Sequence, residues 1–259
     1  MIETWLEQLS VFLLFFVRMT AFFLAAPVFS FRTLPTAFKV GLGFFSALVA
    51  FSTVATDVEI QVDAAFIVLI VKEAVVGLAL GFVAALLLYT LQIAGGFIDF
   101  QMGFAIANVV DPQTGAQVPI IGNFKYVFSL LFLLSVNGHH LLIDGVIRSY
   151  QMVPVENMFI SIGSESVALF ITELFVSIYL IAFQIAIPIV GSLFLVDVAM
   201  GLIARTVPQL NVFVVGIPLK IFVGFLMIFL TLGMFFYLLQ SVLTKMIETM
   251  GQLLQLFGG

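Results

Sequence analysis

The sequence predicts an all-α fold, a polytopic helical membrane protein with broken or re-entrant helices, and three observations carry that prediction. Hydrophobic residues make up 63% of the 259 and charged residues 9%, where a soluble domain carries about 25% charged. With a mean hydropathy of +1.28, the chain holds more apolar surface than a soluble core of this size absorbs. The apolar residues also fall into runs near the roughly 20 that a helix needs to cross a bilayer. Finally, a few charges sit inside or beside those runs, notably in DVAMGLIARTVPQLNVFVVGIPLK, residues 197–220. A charge at the bilayer centre costs about 2.5–3.5 kcal/mol on insertion scales, so such groups face protein or water.

The first run, residues 10–31, is broken only by Arg18, with Pro27 near its end. Ahead of it lie Glu3 and Glu7, where a cleavable signal peptide carries lysine or arginine. It therefore reads as a retained span, with Trp5 as an interfacial anchor. A link with Arg32, Pro35 and Lys39 leads to a shorter span at 40–56, followed by Asp57, Glu59 and Asp63. The positive-inside tendency reads the first link as cytoplasmic and the second as external. A third span, 64–91, contains Lys72 and Glu73. Residues 95–119, GGFIDFQMGFAIANVVDPQTGAQVP, are too rich in glycine and polar groups for an ordinary lipid-exposed helix. Irregular backbone at membrane depth survives only inside protein or along an aqueous cavity, so this stretch reads as re-entrant or pore-facing. Residues 120–136 resume the apolar pattern, and 139–166 form the longest polar stretch. The runs 167–203 and 212–239, joined by ARTVPQLN, form a helical hairpin before a tail with Lys245 and Glu248.

Several residues stand out against this background. Glu73, Gly77 and Gly81 recur at i, i+4 and i+8 on one helix face. Small residues let helices approach closely, so the stripe reads as a packing face whose neighbour supplies a cation. The alternative is a bend, or local water beside a lone acid. Lys72 and Glu73 point about 100° apart, so they are not expected to face each other. Arg18 must snorkel or meet an acceptor. Gly95, Gly96 and Gly103 loosen their stretch, and Asp99 and Gln101 add polar groups to it. Asp197 and Arg205 are eight residues apart, about 12 Å along a helix, so each needs another partner. Pro208 breaks the helix, Gln209 and Asn211 can cap it, and Lys220 follows Gly216 and Pro218. The 31 phenylalanines and ten methionines read mainly as lipid face and core filling.

Other classes are disfavoured. Without cysteine there is no disulfide, zinc–thiolate site or iron–sulfur cluster. A net charge of −5 lacks the dense positive footprint that nucleic acid needs. No phosphate loop, zinc-protease helix or nucleophile elbow occurs, so neither an enzyme nor a cofactor is expected. His139, His140 and Asp144 are a poor metal set, because neighbouring histidines point in different directions.

The segment GLIARTVPQLNVFVVGIPLKIFVG closely resembles the signature of the FliR/SctT family of type III secretion export-apparatus proteins. FFVRMTAFFLAAPVFSFRTLPTAFKVGL, GGFIDFQMGFAIANVVDP and LFLLSVNGHHLLIDGVIRSYQMVP fit it too, in the right order. The resemblance implies a core subunit of the bacterial flagellar export gate, in the cytoplasmic (inner) membrane and flagellar basal body. It implies FliP-like and FliQ-like partner subunits, FlhB-like and FlhA-like export components, exported unfolded proteins and membrane lipid as contacts. By the same analogy residues 1–160 are a FliP-like part and 161–259 a FliQ-like hairpin. A plug loop maps onto residues 105–121, with Asp111, Pro112 and Gly115 as its turn and Phe104, Ile106 and Val109 as apolar closure. The charges and caps of the hairpin, Asp197 to Lys220, would then aim mainly at partner subunits. A competing reading is a small-solute or ion transporter that relays protons or cations through Asp99, Glu73 and Asp197. A third is a passive scaffold with no gate role.

Overall fold

The computed structural model describes residues 2–54, 60–104, 119–161, 163–209 and 211–258, with side chains from residue 8 onward. Among these residues the chain forms eight helices and no strand. They are α1 (Ile2–Ala25), α2 (Thr36–Thr53), α3 (Ala64–Met102), α4 (Ile120–Ser135), α5 (Gly138–Met152), α6 (Glu165–Thr206), α7 (Val212–Leu230) and α8 (Leu232–Gly258).

The helix ends follow local chemistry. Helix α1 stops ahead of Pro27, and Pro35 stands at the N-cap of α2. Asp63 caps α3 by accepting from the amides of Ala65 at 2.9 Å and Phe66 at 3.1 Å. Gly103, at φ +88°, ends α3 in the left-handed region that glycine adopts most easily. Pro188 is carried inside α6, where Ser192 donates to its carbonyl at 2.7 Å.

Three expected boundaries are corrected. The span expected at 64–91 continues through Gly95 and Gly96 to Met102 as one 39-residue helix. Those glycines do not loosen it, because intrahelical bonding persists and Gly95 serves instead for close approach. The span expected at 212–239 breaks at Thr231, whose hydroxyl turns back to the Met227 carbonyl at 2.7 Å. The expected C-terminal tail is the body of α8, whose Met246, Met250, Leu253, Leu254 and Phe257 are buried.

Five helical stretches are long and apolar enough to cross a membrane: 8–25, α2, α3, α6 and α7. A sixth arises if α4 and α5, separated by Asn137 at φ 57°, count as one broken span. Only 6% of α7 is buried by the rest of the chain, so lipid or other protein must cover it.

The helices group into two compact units. Unit one comprises Met1–Leu87, Leu133–Leu174 and Leu243–Gly259, and unit two Leu88–Phe132 and Phe175–Val242. Unit one is built on Leu14, Phe15, Met19, Phe22, Val76, Leu80, Leu142 and Val146, all fully buried. Unit two is built on Ile98, Met102, Ile121, Ala186, Ile189 and Leu193. The division expected at residue 160 is one of likeness to other subunits, which compactness does not test.

Candidate functional site

In unit one the stripe of small residues on α3 meets α1. A Cβ added at Gly77 would stand 2.2 Å from the Arg18 carbonyl oxygen, and one at Gly81 would stand 2.8 Å from that of Phe22. Glycine is the residue that permits this approach, and it brings Glu73 against Arg18. Both side chains are fully buried. The Arg18 Nε donates to Glu73 Oε2 and Nη2 to Oε1 at 2.9 Å, the bidentate fork that guanidinium offers a carboxylate. Two further bonds reach the end of α5: Nη1 donates to Ser149 Oγ at 2.8 Å, and Nη2 to the carbonyl of Val153, just beyond the helix, at 2.7 Å. The Tyr150 ring covers the guanidinium at 4.2 Å.

Lys72 joins the same cluster. Its Nζ lies 2.6 Å from Glu73 Oε1 and donates to the carbonyls of Pro154 at 2.9 Å and Val155 at 3.0 Å. This corrects the expectation that the two neighbours do not pair. Their Cβ directions diverge, but the flexible lysine stem curls back to a carboxylate already fixed by Arg18. Two cations thus share one anion, and the surplus positive charge rests on carbonyls following the C-terminus of α5, the negative end of a helix dipole. Ser149, Tyr150 and the three carbonyls were not anticipated. Backbone acceptors have no signature in a sequence.

In unit two, Asp99 on α3 is buried and accepts from the backbone amides of Ile121 and Gly122 at the start of α4. Asp197 on α6 is held from two sides, by Lys220 on α7 at 2.6 Å and by the Gln101 amide at 2.8 Å. Of the hairpin charges, Asp197 and Lys220 therefore have partners within the chain. The carboxylate and amine meet because the turn around Pro208 folds α7 back along α6. Arg205, Pro208 and Gln209 are exposed near that turn, and Arg205 lies in the last turn of α6, where a cation is favoured. Asn211 caps α7, its side-chain oxygen accepting from Phe213 at 3.1 Å and Val214 at 3.4 Å. Replacing Asn211 by alanine is expected to remove about 1 kcal/mol of stability, read as a lower thermal midpoint in detergent and faster amide exchange at residues 212–214.

Lys125 on α4, also unanticipated, is 5% exposed and stacks 4.2 Å from the centre of the Phe235 ring. Phe104 packs edge-on against Phe225 at 6.5 Å. Ile106, Val109, Asp111, Pro112 and Gly115 lie outside the described residues. His139 and His140 stack on each other at 4.2 Å, and Asp144 pairs with Arg148 at 2.8 Å on an exposed surface. Among the described residues no group of three potential ligands is placed to hold a metal ion.

Comparison with known proteins places this architecture. The family model described as "Bacterial export proteins, family 1" matches residues 9–246. The chain belongs to that family. Members of the family among curated proteins include the flagellar biosynthetic protein FliR of Bacillus subtilis (strain 168), 49% identical over 253 residues and 98% of each chain. FliR of Escherichia coli (strain K12) is 30% identical over 229 residues, 86% of this chain and 84% of its own. The Yop proteins translocation protein T of Yersinia pestis is 31% identical over 216 residues, 83% and 82% of the two chains.

Family membership and geometry together remove the transporter alternative. The relatives are biosynthetic and translocation proteins by name. The three carboxylates proposed as a relay are each committed elsewhere: Glu73 to Arg18 and Lys72, Asp99 to backbone amides, and Asp197 to Lys220 and Gln101.

Proposed function

We propose that the chain is a core subunit of the bacterial flagellar type III protein export gate, helping to assemble and close the membrane channel through which flagellar proteins pass. The observation that carries this reading is 49% identity to a flagellar biosynthetic protein across 98% of both chains. The subunit works in the cytoplasmic membrane at the base of the flagellum, beside FliP-like and FliQ-like subunits, with FlhA-like and FlhB-like components nearby. Residues 1–160 take the FliP-like role and 161–259 the FliQ-like role, and the nearly bare α7 is covered by neighbours. Residues 105–121 take the plug role, the last two of them being the first residues of α4.

Co-expression with the FliP-like and FliQ-like subunits tests the proposal. The chain is expected to co-purify with both, and a variant lacking residues 105–118 is expected to assemble yet pass ions when reconstituted into liposomes. A chain that purifies as a stable monomer without these subunits contradicts the assembly role. An ion-tight complex lacking that segment contradicts the plug.

A further inference from the structure

Lys39 is only 8% exposed, and among the described residues no salt bridge includes it or Arg32. It stands on the face of α2 that carries the buried Gly43, Ala47 and Ala50. One turn along that face, a Cβ added at Gly43 would collide with Thr20 of α1. The lysine stem therefore lies in the seam between α1 and α2. Its ammonium is open. Among the described residues, Thr20 Oγ1 and His139 Nδ1 are the side-chain atoms both sealed from the surface and unbonded. Lys39 Nζ has no hydrogen bond either, and it is not sealed with them.

The open ammonium points at an open helix end. Lys39 is the fourth residue of α2, and helical Cα–Cβ bonds tilt toward the N-terminus, so its stem leads back over the first turn. Pro35 at the N-cap offers no side-chain acceptor. Its carbonyl takes the amides of Phe38 at 3.0 Å and Lys39 at 3.3 Å. The amides of Thr36 and Ala37, both exposed residues, have no acceptor among the described residues. They stand at the positive end of the helix dipole. Arg32, also exposed, sits in the turn leading into the helix, which the Leu34 amide closes on the Phe31 carbonyl at 3.2 Å. Apolar surface adjoins these cations. Phe38 and, two turns along, Phe45 are 54% and 68% exposed. Helix α2 is apolar enough to cross a membrane, yet only 22% of it is buried by the rest of the chain.

We propose that the N-terminus of α2, with Lys39 and Arg32, binds the phosphate of an anionic phospholipid whose acyl chain lies along Phe38 and Phe45. Two cations and a helix dipole converge on the site, so a head group carrying its own amine would add a cation among cations. A lipid with net negative charge fits instead, and basic residues beside a span attract such lipids. Free phosphate would satisfy the cations but leave the aromatic face unused. The site goes beyond the export role and does not depend on it.

The test needs only the full chain in mild detergent, with or without co-purifying subunits, so its outcome stands apart from the export-gate reading. Native mass spectrometry measures the Kd for dioleoyl phosphatidylglycerol, dioleoyl phosphatidylcholine and inorganic phosphate. Phosphatidylglycerol is expected to bind more tightly than either. Lys39→Met keeps the stem and removes the charge. That change and Arg32→Gln are each expected to weaken phosphatidylglycerol about fivefold, the scale of one basic residue at a lipid surface, and to leave phosphatidylcholine unchanged. Lys245→Met, at an exposed lysine of α8, is expected to change neither. Equal Kd values for the two lipids overturn the proposal. So does a loss at Lys245 equal to that at Lys39, which would make the attraction one of overall charge. Inorganic phosphate binding as tightly as phosphatidylglycerol overturns lipid as the source. Binding to the lone chain that bound FliP-like and FliQ-like subunits abolish would give the site to a neighbouring protein and overturn it too. Should Lys39→Met fail to fold, Arg32→Gln decides alone, and an unchanged phosphatidylglycerol Kd there is the overturning result.

Discussion

Replacing Glu73 by alanine is expected to destabilise the protein by about 3–5 kcal/mol, the cost of removing one member of a buried ionic cluster. The carboxylate is the sole anion between Arg18 and Lys72 in the cluster, and both of those side chains are almost wholly buried. Without it two like charges confront each other in an apolar interior. Arg18 keeps Ser149 and Val153, and Lys72 keeps Pro154 and Val155, but carbonyl dipoles do not neutralise two charges. Replacing Arg18, Lys72 and Glu73 together by methionine is expected to cost less than the single change, since a whole cluster exchanged for apolar groups is often close to neutral. Thermal unfolding in detergent compares the two. A loss below about 1 kcal/mol for Glu73→Ala would show that the cluster behaves as a solvated surface pair.

Gly95→Ala is expected to be nearly as severe, at about 3 kcal/mol or more, the upper end of overpacking costs. The added methyl meets Gly122 Cα at 2.2 Å, Gly122 N at 2.4 Å and the Ile121 carbonyl carbon at 2.9 Å. All three are backbone atoms that cannot rotate away, so α3 and α4 must part and the Asp99 bonds must lengthen. The neighbouring glycine is the control. A Cβ at Gly96 meets only Pro119 Cγ at 3.9 Å. Gly96→Ala is expected to be neutral or to stabilise by about 0.5–1 kcal/mol, the difference between the two residues inside a helix. Equal effects at the two positions, measured by thermal unfolding of the same complex, would refute the close-approach account.

Legibility followed the type of signal. Composition and run length were enough for the spans, because burying or immersing a helix in lipid leaves a mark on every residue. Glu73, Gly77 and Gly81 showed a packing face by spacing alone. The identity of the facing cation did not show, since Arg18 lies 55 residues away along the chain and nothing in a single sequence records that proximity. Gly95 and Gly96 were misread as loosening a helix because glycine serves both close approach and backbone freedom, and composition does not separate these uses. The break at Thr231 has no proline or glycine at the break residue itself, and α8 mixes polar with apolar residues in a way that resembles a tail. Pro119 ahead of an apolar run carried a usable hint of a missing cap. That Asp99 fills it depends on tertiary contact.

The makeup of unit one sets an order of events in the cell. Residues 243–258 are synthesised after every other part of that unit, yet they complete its interior. A Cβ at Gly258 would lie 2.2 Å from the Met152 carbonyl oxygen, and Met250 reaches within 3.3 Å of the place where one would stand on Gly145. Until α8 arrives, α5 presents an uncovered face while the remaining helices are already being inserted. Closure of unit one therefore reports that translation has run through α8. A chain lacking α8 would leave the α5 face around Gly145 and the carbonyl of Met152 without the cover that Met250 and Gly258 give it.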